Sequence, residues 1–412
     1  MAQAPGENVS GARGRRGFLR GLAIVAALPL VTGTARGAEP PPIHVGVIVP
    51  LSGANAQFGI NSRNGIELVA DEINAAGGIK SLGGAKIKLV VADSTSTPTT
   101  AATVAQRFIT QNEVVAILGA FASSLTIAIS EVTERRDIPL LTMSFADQLT
   151  ERGFKNIFQI VSKGSVLGRA QFDYTLAIAK ATGEKIERVA IMYEDTAYGT
   201  AQANGLRAAA KAAGVQVVMD EAYPLGITDA APLINKLRAS GAQVAFPVSY
   251  LNDSLLIIRA MRQQNLDTPA VGGAAGYVIP DFVKGLGEFA EGVLSISPTN
   301  YDNAPEFTER FRKRYGYFMV HEALEHAAAM YCLTQAIEKA ASRDPAAIRK
   351  ALAETNFTTG WAKAMTGGAV KFDGKGLNEL AQPVMVQWRG AELVTVWPES
   401  LAKGKPVWRK RK

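Results

Sequence analysis

A strand, a polar loop and a helix alternate along most of this chain, and that alternation leaves few folds open. The β-branched run 43–50 ends in Pro50 and reads as a buried parallel strand. A loop at 51–54 follows. Ile60, Ile66, Leu68, Val69 and Ile73 then recur at helical spacing over 59–75, and Gly77-Gly78 stops the helix. Strands are expected at 87–92, 114–118 and 139–142, with helices at 99–111 and 123–136. The rhythm restarts with strands at 188–193, 215–220, 244–248 and 269–272, and helices at 198–213, 230–240 and 253–264 between them. Two consecutive units of this kind predict an α/β protein of two doubly wound parallel-sheet lobes. The aperiodic stretch 144–163 reads as a crossover. Helices are expected at 307–315 and 323–341, and a late antiparallel hairpin around Arg389-Gly390. A length of 412 residues is more than one ordinary core accommodates, which agrees with two lobes.

The first 38 residues stand apart. Arg15-Arg16 precede Phe18-Leu19-Arg20, the apolar run 22–31 and small residues as far as Ala38. This is the order of a twin-arginine-type export signal, with cleavage expected between Ala35 and Ala38. The apolar run is about half of the ~20 residues that a membrane span needs. A Sec signal would lead to the same place, so the mature protein is expected in the periplasm.

Composition excludes several functions. The net charge is +7, and Arg13, Arg15, Arg16, Arg20 and Arg36 against Glu7 put +4 of it in the signal. Four further positive charges close the chain in a basic tail, Arg409-Lys410-Arg411-Lys412. The body is near neutral, so nothing points to nucleic acid. A single cysteine, Cys332, rules out an intramolecular disulfide. With three histidines and no HExxH or CxxC, no metal site is expected. No G-x-G-x-x-G follows the first strand, no P-loop lysine motif is present, and Ser123-Ser124 lack a G-x-S-x-G elbow. No cofactor and no catalytic residue are therefore expected.

Open α/β sheets bind ligands at the carboxyl ends of their strands. Two such sheets facing each other would line a cleft with residues 51–58, 120–124, 142–147, 195–198, 249–253 and 273–277. Ser123 and Ser124 stand where a strand gives way to a helix. They are either plain helix caps or donors to a carboxylate that the helix N-terminus also attracts. Tyr198, near a helix start, has the ring and hydroxyl to close over a ligand. Glu194 and Asp195 either meet a cation or solvate a loop. Tyr250 has the same placement on a later strand, and Asp253 is either a cap or a cleft acid.

From about Ile43 to Trp397 the chain resembles the periplasmic solute-binding proteins of branched-chain amino acid ABC transporters. The resemblance rests on Pro50-Leu51-Ser52-Gly53, Asp71-Glu72-Ile73-Asn74-Ala75-Ala76-Gly77-Gly78-Ile79, Ile117-Leu118-Gly119 with Ser123-Ser124, Ile138-Pro139, Leu149-Thr150-Glu151-Arg152-Gly153-Phe154, Tyr198-Gly199 and Tyr301-Asp302. It implies a type I Venus flytrap, two lobes on a three-segment hinge. The first lobe would take 43–161 and 299–362, and the second 162–298 and 363–412. It also implies an amino acid or related carboxylate as ligand, an ABC permease and ATPase as partners, and a monomer. By resemblance the ligand's carboxylate meets Ser123 and Ser124 and the loop Thr142, Ser144, Phe145 and Ala146, while Tyr198 and Tyr250 supply ring or hydroxyl contacts. One departure stands out. The loop that carries an acidic partner for the ammonium in the amino-acid binders holds Gly273 and Ala274 here. Either Asp253, Asp195 or Asp147 takes over, or the ligand has no amine, and Phe145 and Tyr277 would then suit an aromatic or branched acid. A ligand sensor or an exported enzyme are the competing functional classes.

Overall fold

The computed structural model describes residues 39–408, so the expected signal at 1–38 and the basic tail at 409–412 lie outside the described residues. The first sheet joins β1 (Ile43–Val49), β2 (Ile87–Asp93), β3 (Ala116–Gly119), β4 (Leu140–Thr142) and β5 (Ile157–Gln159), all parallel, in the order β2-β1-β3-β4-β5. Helices cover both faces, which is why β1 reads as a near-continuous apolar run with Val45, Val47, Ile48 and Val49 all buried. The second sheet starts from β6 (Arg188–Glu194), β7 (Gln216–Tyr223) and β8 (Val244–Val248), parallel in the order β7-β6-β8. A parallel bridge from Ala245 to Ala270 links β8 to β9 (Val271–Gly272), which pairs with β10 (Leu294–Ser297).

After β10 the chain returns to the first sheet. Helix His321–Ala340 lies so close to helix Ala56–Ala75 that a Cβ on Gly65 would sit 2.1 Å from the Ala323 carbonyl oxygen. The arginines of helix Pro305–Tyr315 reach the same first helix, Arg310 to Glu72 and Arg314 to Asp71. The short pair β11 (Asn356–Phe357) and β12 (Val370–Lys371) stays on this side, where Phe372 packs edge-on against Phe158 of β5 and Leu377 bridges Gln159. The chain then crosses once more, and β13 (Val384–Arg389) and β14 (Glu392–Trp397) extend the second sheet as the antiparallel hairpin that the sequence predicts. The connections between the two sides fall at 160–163, 298–300 and 379–383, so the third comes later than the boundary at 362 that the resemblance implies, because Phe372 and Leu377 pack on β5.

Several elements escaped the sequence reading. β5 is three residues long inside the stretch read as a bare crossover. Helix Gly164–Ala181 begins with glycine and has no side-chain cap, so its start carries no signal. Helix Pro345–Glu354 is capped by Asp344, which accepts from the amides of Ala346 and Ala347.

Candidate functional site

In each sheet the strand order reverses at one point, between β1 and β3 in the first and between β6 and β8 in the second. Loops at such a switch point diverge and leave a crevice. The residues just past β1, β3 and β4 are Phe58, Phe121, Ser123 and Phe145. Those past β6, β8 and β9 are Tyr198, Tyr250 and Ala275. They meet. A small cavity is lined by Phe121, Ser123, Phe145, Tyr198, Tyr250 and Ala275, so both lobes contribute.

Aromatic rings form most of its wall. Phe58 and Phe121 stack with centroids 4.2 Å apart, and Tyr250 from the other lobe tilts against both, at 6.1 and 5.7 Å. Tyr198 lies 5.3 Å from Tyr250 and 5.8 Å from Phe145 across the lobe boundary. The Tyr198 hydroxyl donates to the Gly273 carbonyl, which fixes the ring.

The polar end is the start of helix Ser123–Glu134. Its cap position is Ala122, which has no side chain to offer, so neither serine acts as the cap. The first helical amides have no intrahelical acceptor, and the dipole is positive there. The Ser123 hydroxyl oxygen accepts from the amides of Phe145 (3.2 Å) and Ala146 (3.1 Å), so its own proton is left to donate into the cavity. The helix start suits an anionic oxygen, and the rings suit an apolar neighbour.

The remaining sequence candidates lie outside the cavity wall. Ser124 is exposed. Ser144 donates to the Ala120 and Phe121 carbonyls (2.8 and 2.9 Å), and Thr142 accepts from the Ser144 amide, so these two hydroxyls brace the loop from behind. Ala146 lines a separate outer groove with Asp147, Glu151 and Asp195. The Ala274 amide donates to Ser295, at a backbone φ of 69°. Tyr277 turns into the second lobe, where its hydroxyl lies 2.5 Å from that of Ser249 and its ring packs on Phe282. Asp253 accepts from the Gly226 amide at 3.0 Å and lies behind Tyr250.

Two buried groups surround the site that the sequence reading did not assemble. Behind Tyr250, Glu194 accepts from the Tyr250 amide, and its other oxygen faces Asp253. Burial pushes Glu194 well above the usual carboxylate range, and the Asp253 charge pushes it the same way. If both were ionised, one oxygen of each would have no donor. A proton on Glu194, donated toward Asp253, would serve both. Behind Phe145, the His321 ring lies 6.4 Å away and belongs to a buried cluster with Glu322, Glu325 and His326. His321 Nδ1 is 3.3 Å from Glu325, and Glu322 accepts from the Asn61 amide nitrogen at 2.8 Å. Spacings of one helical turn put all four on one segment, a signal the sequence did contain.

The cluster makes stability depend on pH. Burial holds His326 down to about 4, helped by the neighbouring His321 and opposed by the Glu322 carbonyl that faces its Nδ1. Between 6.5 and about 4 the unfolded imidazole takes a proton that the folded one does not, so this stability is complete above pH 6.5 and is lost as pH falls. Denaturant melts from pH 6.5 to 4 are expected to fall more steeply for the wild type than for His326→Asn, by about 3 kcal/mol. The raised carboxyls of Glu322 and Glu325 act in the opposite direction in both proteins. Equal slopes would show that His326 is not held neutral.

Cys332 is fully buried with its thiol pushed up by burial, an inert packing residue. Among the described residues no group of three or more His, Cys, Asp or Glu side chains is placed to hold a metal ion. No described helix is long and apolar enough to cross a membrane. A larger cavity lies in the second lobe alone, between Met261, Arg262, Val293 and Trp408. Motion between the lobes would not act on it, and it is separate from the converging strand ends.

Known proteins are similar to most of this chain. The profile of the family described as periplasmic binding protein matches residues 42–387. A protein of Brucella melitensis biotype 1, named Leu/Ile/Val-binding protein homolog 8, is 32% identical over 407 residues, covering 95% of this chain and 99% of that protein. A leucine-binding protein, LivK, of Thermotoga maritima superposes with a TM-score of 0.76 at 23% identity, over 86% of this chain and 97% of its own. A solute-binding protein of R. palustris solved with benzoate gives a TM-score of 0.74 at 18% identity, over 86% and 95%. With a family profile spanning most of its length and a relative this similar from end to end, the chain belongs to the periplasmic binding protein family.

Proposed function

We propose that this protein is the exported solute-binding component of an ABC importer. It captures a small solute with a carboxylate and an apolar body between its lobes and hands it, enclosed, to a membrane permease driven by an ATPase. The observation that carries this reading is the uncapped start of helix Ser123–Glu134, with the free Ser123 proton, facing aromatic rings from both lobes. The crossings at 160–163, 298–300 and 379–383 are the hinge, and closure about them brings Tyr198 and Tyr250 onto Phe145 and Phe121. Residues 1–38 are the export signal, and the working form is a monomer in the periplasm. The reading is of a binding protein and not of an enzyme.

The names of the relatives bring branched-chain amino acids into scope, and the benzoate complex brings in aromatic acids. The test is a thermal-shift and calorimetric screen of the purified protein against small carboxylates, both amino acids and amine-free acids. A true ligand at a hundredfold excess over its Kd stabilises the native state by about 2.7 kcal/mol. A screen in which neutral sugars shift the midpoint and no carboxylate does would refute the reading.

A further inference from the structure

We infer that the interlobe cavity selects a carboxylic acid that carries no amine. The inference rests on the functional reading above and narrows its ligand. An α-ammonium brings three N–H donors and a full charge into a site walled by rings. Burying that charge unpaired is expensive, so a site built for it needs an anionic acceptor at the wall.

None of the acids around the cleft lines the cavity. Glu194 spends one oxygen on the Tyr250 amide and turns the other to Asp253. Both are buried, and burial beside Asp253 favours the neutral form of Glu194. Asp253 accepts from the Gly226 amide on the far side of Tyr250. In the first lobe Asp147 holds the Ser165 amide at 3.0 Å, Glu151 pairs with Lys163 at 2.7 Å, and both face the outer groove with Asp195. Glu322 and Glu325 face His321, behind Phe145.

The late loop adds no charge either. It cannot easily be rebuilt, because a Cβ on Gly276 would lie 2.4 Å from the backbone of Tyr250, and one on Gly273 would lie 2.9 Å from Val248. Ala275 is therefore what the loop presents to the cavity. The wall offers one anion-accepting end and otherwise rings, a methyl group and phenol hydroxyls. That is the complement of an aliphatic or aromatic acid.

Matched pairs test it. Isothermal titration of the purified protein would compare 4-methylpentanoate with L-leucine and 3-phenylpropanoate with L-phenylalanine, with benzoate alongside. At least one amine-free acid is expected to bind about 100-fold more tightly than its amino acid. An amino acid that binds as tightly as its deaminated partner, or more so, overturns the inference and leaves the carboxylate reading standing. Binding of none of these carboxylates overturns both.

Discussion

Alanine at Tyr198 is expected to abolish most of the ligand affinity while leaving a folded protein. Tyr198 is 2% exposed, and its ring packs against Phe145 of the first lobe and Tyr250 of its own. Removing it takes a wall from the cavity and the hydroxyl from the Gly273 carbonyl. Truncating a buried aromatic costs about 3–5 kcal/mol of stability. The sheets do not depend on this ring, so the variant should melt earlier but cooperatively. Its affinity should fall by about 100-fold or more, since rings at the centre of a closed site carry a disproportionate share of binding. Tyr198→Phe separates the two roles. It keeps the ring and loses one hydrogen bond, so about 1 kcal/mol is expected. Titration calorimetry of both variants with the ligand found by screening decides. Unchanged affinity in Tyr198→Ala would place the site elsewhere.

Gly205→Ala is expected to destabilise the protein by about 3 kcal/mol, against the sign that helix propensity alone would give. Alanine in place of glycine inside a helix normally gains about 1 kcal/mol. Here helices Gly164–Ala181 and Ala197–Ala213 touch backbone to backbone. A Cβ on Gly205 would lie 2.0 Å from the Ser165 carbonyl oxygen, and one on Gly168 would lie 2.1 Å from that of Gln202. Neither neighbour is a flexible side-chain tip, so the helices must separate. That opens the buried link from Gln202 to Gln171 (2.8 Å) and from Gln171 to the Val271 carbonyl (2.7 Å), which ties both helices to β9. Overpacking of this kind costs about 1–3 kcal/mol, to which a broken buried amide pair adds. Urea unfolding measures it, and a Gly205→Ala protein as stable as the wild type would refute the close approach. Gly214, which has open space around its Cβ position at φ 69°, is a contrasting glycine where only backbone conformation is at stake.

Much of the fold was legible because the strands buried on both faces read as short apolar runs, and the long helices show their period. The expected strand at 244–248 coincides with β8, and the hairpin at Arg389-Gly390 is β13 and β14. What escaped was short or weakly marked: β5 with three residues, and helix Gly164–Ala181 with no cap. The candidate site was read as a set of strand ends, and Ser123, Phe145, Tyr198 and Tyr250 line the cavity found there. It was not legible which of those side chains turn inward. Tyr277 and Tyr198 look alike in sequence, yet one is drawn into the second lobe by Ser249 and Phe282 while the other faces the first lobe.

The sequence by itself determined the alternation of strands and helices, the two lobes and which loops lie at the carboxyl end of each sheet. Those follow from period and chain direction, which are local. Only the tertiary structure decided that Ala122, and not a serine, occupies the helix cap, and that Glu194 and Asp253 face each other. It also decided that no acid reaches the cavity wall. Those depend on residues brought together from distant parts of the chain, and on burial, which sets whether a carboxyl keeps its proton and what it has left to offer a ligand.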